Sequence, residues 1–135
     1  MAGYSGTPLA RKLGIRPGAS VAVVDAPAGW AIPELPDGVV VEAELAGAHD
    51  VVLAFLRERK LLVERLPALR EAIHREGSLW IAWPRRAGGH VSDITENRLR
   101  EDILPCGLVD TKVAALDEDW SGLRFVWRRR LRASR

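Results

Sequence analysis

From Ser78 to Trp83 the chain reads Ser-Leu-Trp-Ile-Ala-Trp without a charge, and Pro84-Arg85-Arg86 follows at once. Side chains of a strand alternate between the two faces of its sheet, so a run this apolar leaves neither face for water. That is the condition of an inner strand in a mainly parallel α/β sheet. Pro84 has no N–H to give a neighbour and closes the ladder. The chain then leaves the sheet carrying an indole and two guanidinium groups. Ligands of open α/β sheets gather outside the carboxyl ends of the strands. One stretch therefore marks both the middle of the core and the first place to look for a site.

The other elements follow from the same reading. Residues 20–25 and 50–56 are further near-continuous apolar runs, and residues 39–45 alternate as a half-exposed strand near a sheet edge. Thr7-Pro8 opens a short helix over residues 9–13 that Gly14 stops. Trp30 to Leu35 is expected to make a turn of helix. Pro67 divides residues 58–76 into two helical pieces, 58–65 and 67–76, the second stopped by Gly77. Asp93 with Glu96 three residues on forms a capping box for a helix reaching about Leu104. Residues 109–116 and 123–130 are strands joined by an acidic turn too short for a crossover, hence antiparallel. One α/β domain over residues 1–130 is expected, with residues 131–135 a basic tail.

Charge and cysteine content narrow the function classes. Net charge is +2, but residues 121–135 hold six arginines and no acid, so the remainder carries −4. A polyanion would be repelled by that remainder, and nucleic-acid binding is not expected; the arginines read as a charged edge strand and tail. Cys106 is the only cysteine and reads as a small apolar filler. His49, His74 and His90 show no ligand spacing, so no metal is expected. The start lacks the regions of a signal peptide and no apolar run is long enough for a membrane span, which points to the cytoplasm.

Two resemblances add to this. Residues 16–24 (Arg-Pro-Gly-Ala-Ser-Val-Ala-Val-Val) resemble the entry into the first strand of Rossmann-like methyltransferases, residues 49–55 their fourth strand and residues 77–82 their fifth. The terminal hairpin resembles their reversed last pair. The resemblance implies a three-layer, mostly parallel six-stranded sheet in the order 2-1-3-4-6-5 with one antiparallel strand, shortened relative to that fold. Methyltransferases carry an acid and a Gly-x-Gly-x-Gly-type turn after the first strand, where backbone meets S-adenosylmethionine. Here the turn is Asp25-Ala26-Pro27-Ala28-Gly29, and Glu42 or Glu44 stands where a ribose-binding acid is expected. No cofactor is expected. The second resemblance covers nearly the whole chain: residues 3–10, 80–85 and 119–123 are similar to the bacterial domain-of-unknown-function 3052 family, which implies a fold and no activity.

The candidate ligand-binding residues are Asp25, Pro27, Arg57, Trp83, Pro84, Arg85, Arg86, Asp93 and Tyr4. Arginine forks grip phosphate or carboxylate, and an indole stacks on a ring. The plainer alternative is a core tryptophan with rim arginines. No Ser-His-Asp order or glycine-flanked serine suggests a nucleophile. A binding domain for a small anionic ligand or a protein partner is the first expectation, and an unusual methyltransferase-like enzyme the second.

Overall fold

The apolar stretch lies inside a longer strand, Ile73–Pro84, whose last eight residues are all buried. A computed structural model describes residues 7–133. In chain order the elements are α1 (Leu9–Lys12), β1 (Ser20–Val24), β2 (Val40–Glu42), β3 (His49–Phe55), α2 (Arg59–Glu71), β4 (Ile73–Pro84), α3 (Glu96–Ile103), β5 (Leu108–Ala115), β6 (Trp120–Trp127) and α4 (Arg129–Ala133). The six strands form one sheet in the order β2-β1-β3-β4-β6-β5, as expected. Pairings among β2, β1, β3 and β4 are parallel, and β6 runs antiparallel to both its neighbours.

The strand period sorts the core into two halves. Val52, Ala54, Leu79, Ile81 and Trp83 face Leu62, Leu66 and Leu69 of α2 and Leu99 and Ile103 of α3. Val51, Leu53, Phe55, Trp80 and Ala82 face the other way, under Leu13 and Ile15 beside α1 and under Ile32. Each fully buried Leu or Ile contributes roughly 1.5–3 kcal/mol. Trp80 is fully buried, and its indole N–H reaches the Leu13 carbonyl at 3.2 Å, which ties α1 to the sheet.

Several local expectations are corrected. Pro67 does not divide the helix: α2 is continuous through it. Pro67 is exposed, and so is Val63 four residues before it, whose carbonyl the missing N–H leaves open. The loss falls on the wet face, where water satisfies it. Residues 73–76, expected as helix, are the start of β4. Gly77 is not a helix stop; a Cβ there would lie 2.8 Å from the Asp50 carbonyl oxygen and 2.9 Å from that of His49, so β3 and β4 approach too closely for a side chain. The cap of α1 is Pro8 rather than Thr7. Residues 30–35 contain no helix, and β2 is only three residues long. The chain after Trp127 is not strand: Arg129–Ala133 is a short helix, and β6 is an inner strand with β5 at the edge.

Candidate functional site

Because β1, β3 and β4 are parallel, their carboxyl ends meet at one rim, and the antiparallel β6 brings its first residue there too: Pro84 is paired with Trp120. The predicted residues lie on this rim but divide between two hollows. One, of about 320 Å³, is lined by Asp25, Pro27, Phe55, Arg57, Arg65 and Trp120 among others. The second, of about 590 Å³, is lined by Trp83, Pro84, Arg85, Arg86, His90 and Ser121 among others. Asp93 joins neither; its carboxylate accepts the Arg59 N–H at 2.8 Å and caps α2. Tyr4 lies outside the described residues.

A file of rings runs along the first hollow, with Phe55 and Trp120 in its lining. Trp30 and Phe55 meet edge to face at 4.7 Å between centroids, and Phe55 and Trp120 at 4.9 Å. The Arg57 guanidinium lies over the Trp120 ring at 4.9 Å. Asp117 fixes the file: one carboxylate oxygen accepts the Trp30 indole N–H at 3.0 Å, the other the backbone N–H groups of Asp119 and Trp120. Asp25 follows β1 with φ +59, a left-handed conformation that Asp tolerates better than most residues. Its carboxylate pairs with Arg65, so it is engaged rather than turned to a ligand.

The second hollow is built by the loop that Pro84 releases. The backbone N–H of Arg85 donates to the Asp119 carbonyl at 2.8 Å, and its guanidinium to the Asp117 carbonyl at 3.0 Å. His90 Nε2 and Asp119 Oδ1 are 3.0 Å apart. A Cβ on Gly88 would meet the Glu118 carbonyl oxygen at 2.7 Å, so glycine lets the loop lie against the turn. Opposite stands the start of α3, where Thr95 accepts the Arg98 N–H and Ser92 bridges to the Arg57 carbonyl. Trp83 is buried as part of the floor, and Arg86 is exposed with no ion pair among the described residues.

The sequence reading missed His90, Ser92 and Ser121, and it missed Trp30, Phe55 and Trp120 as a group. The three aromatic residues are spread over ninety positions and meet only once the sheet forms. Arg59, whose guanidinium binds both oxygens of Asp102 at 2.8 Å, has its pKa raised by that hydrogen bond first and by the charge of Asp102 next. It joins α2 to α3 behind the rim. Cys106 is half-buried against the core, as a filler should be. No three His, Cys, Asp or Glu side chains converge to hold a metal among the described residues. No helix there is long and apolar enough to cross a membrane.

Comparison with known proteins fits this architecture. A family model described as "Protein of unknown function (DUF3052)" matches residues 10–129. No curated protein matches in sequence. Among solved structures, a SAM-dependent methyltransferase from Aquifex aeolicus aligns with a TM-score of 0.62 at 12% identity, covering 85% of each chain. The Methanococcus jannaschii fibrillarin, a pre-rRNA processing protein, gives 0.62 at 12% identity over 84% of this chain and 68% of its own. The ribosomal protein L11 methylase from Lactobacillus delbrueckii subsp. bulgaricus gives 0.56 at 11% identity over 89% and 75%. At such identities the likeness is one of fold: a Rossmann-like, methyltransferase-like sheet in shortened form. The match over residues 10–129 places the chain in the DUF3052 family.

Proposed function

We propose that this DUF3052 protein is a binding domain rather than a methyltransferase, and that its ligand is a small anion held at the Arg85–Arg86 hollow. The observation that carries the reading is the ring file. Where methyltransferases bring a glycine turn up to S-adenosylmethionine, this chain has Pro27 in the turn and packs Trp30, Phe55 and Trp120 along the rim. Proline denies an N–H to a carboxylate or ribose, and the rings narrow the hollow to about 320 Å³. The residues present do not fit the cofactor.

Both hollows hold two arginines, but Asp25 and Glu58 line the first, whereas Glu96 is the one carboxylate among the residues lining the second. Its volume, about 590 Å³, suits a small molecule. Arg85 is braced by the Asp117 carbonyl, which orients its fork, and Arg86 is free to close on a charged group. Ser92, Thr95, Asn97 and Ser121 add neutral hydrogen-bonding groups. Glu96, the carboxylate that lines this hollow, is paired with Arg100 at 3.0 Å.

Titration calorimetry with inorganic pyrophosphate, on the parent and on Arg86→Ala, tests the reading. A charge-assisted contact contributes roughly 1.5–3 kcal/mol, so Arg86→Ala should bind about tenfold to a hundredfold more weakly. Equal affinity would contradict it. The second reading is an unusual methyltransferase-like enzyme, and micromolar binding of S-adenosylmethionine in a parallel titration would revive it.

A further inference from the structure

The chain's positive charge is gathered at the opposite end of the sheet from this hollow. There Trp127 ends β6, and two guanidinium groups from other elements lie over its ring: Arg70 of α2 at 4.9 Å and Arg75 of β4 at 4.8 Å. Trp127 itself is buried, with its N–H on the Ile73 carbonyl. Arg70 is further held by the Cys106 carbonyl at 2.7 Å yet keeps 35% of its side chain exposed. Arg128 donates to the Leu104 carbonyl, and α4 then presents Arg129 and Arg130 to solvent and Arg132 to a hollow of about 840 Å³ that Arg70 and Arg75 also line. The carboxylates nearby are Asp50, Glu71 and Glu76. Glu71 pairs with Arg70, and Asp50 accepts the neutral Ser20 N–H, so Asp50 and Glu76 keep their charge beside Arg75 and Arg132, and the surplus of positive charge comes from Arg128, Arg129 and Arg130.

We infer that this arginine surface around Trp127 binds single-stranded nucleic acid. Guanidinium forks fit phosphate oxygens, and the groups here come from three elements, α2, β4 and α4. Arginines already pinned on a ring or a carbonyl lose less freedom on binding. A nucleic-acid strand brings one phosphate charge per nucleotide and no cations, which suits clustered arginines better than the mixed side chains of an acidic protein and makes nucleic acid the favoured partner. The negative remainder of the chain does not stand in the way, because its densest part, Asp117-Glu118-Asp119, lies at the other end of β6, roughly 23 Å away at the rise of a strand.

The test is fluorescence anisotropy of a dye-labelled twelve-nucleotide oligouridylate with the full chain between 50 and 200 mM salt. Binding should weaken with salt, with a log–log slope of about −0.7 for each phosphate neutralised. Arg75→Ala with Arg132→Ala should make that slope shallower by about 1.4 on the same basis. Arg129→Glu with Arg130→Glu changes only exposed side chains and should abolish binding while leaving the melting temperature in place. No binding at 50 mM salt, indifference to both double variants, or equal displacement by polyglutamate of matched charge would each overturn the inference.

Discussion

Asp93 accepts the backbone N–H of Arg59 at 2.8 Å, so the residue expected to start α3 instead caps α2, thirty-four positions earlier in the chain. The cap of α3 is Thr95, whose hydroxyl accepts the Arg98 N–H. Asp93 thereby fastens the loop after β4 to the helix after β3 and holds the rim together. Asp93→Ala should cost about 1 kcal/mol, the ordinary loss for a removed cap, and Asp93→Asn much less. Urea denaturation of both variants measures this; equal losses would mean that the carboxylate's charge, not its acceptor role, is what matters.

Gly77 gives a prediction of opposite origin. Its missing Cβ leaves room for the carbonyl oxygens of Asp50 and His49, which are backbone atoms and cannot swing away. Gly77→Ala should destabilise the protein by roughly 1–3 kcal/mol through overpacking. Were Gly77 a helix stop in the left-handed region, the cost would arise from φ instead, but Gly77 is absent from the positive-φ glycines. Denaturant midpoints of the alanine variant decide the magnitude, and an unchanged midpoint would refute the close approach.

Trp30 is held twice, by its edge on Phe55 and by its N–H on Asp117. Trp30→Phe keeps a ring and removes the donor. A hydrogen bond to a charged group contributes roughly 1.5–3 kcal/mol, and partial exposure brings the expected loss to the low end. Thermal melts should show the drop. Asp117→Asn should lose most of the same amount, and the two changes together should cost less than their sum because they remove one interaction.

Much of the fold was legible in the chain. Residues 51–55 and 79–83 have no polar face, so inner strands were the only economical reading, and the acidic turn before Trp120 forces a hairpin. The long helix was misread because proline's cost depends on which face its missing N–H serves, and that is fixed only when Leu62, Leu66 and Leu69 find the sheet. Arg85 and Arg86 were placed at the rim by Pro84 alone. Asp25 and Arg57 were assigned to the same site as Arg85, but with Trp120, the first residue of β6, they line one hollow, while Ser121 next to it lines the other with Arg85.

Under the proposed function the ligand sits at the end of β4 rather than at the end of β1, where Phe55 and Trp120 narrow the rim. Amide chemical-shift mapping tests it most directly, with inorganic pyrophosphate and S-adenosylmethionine titrated separately into the same labelled protein. Pyrophosphate should shift the amides of Arg85, Arg86, His90 and Ser92 and leave Ala26, Gly29 and Trp30 unmoved, and S-adenosylmethionine should shift neither group. Saturable shifts at Asp25, Ala26 and Gly29 on adding S-adenosylmethionine would contradict the account.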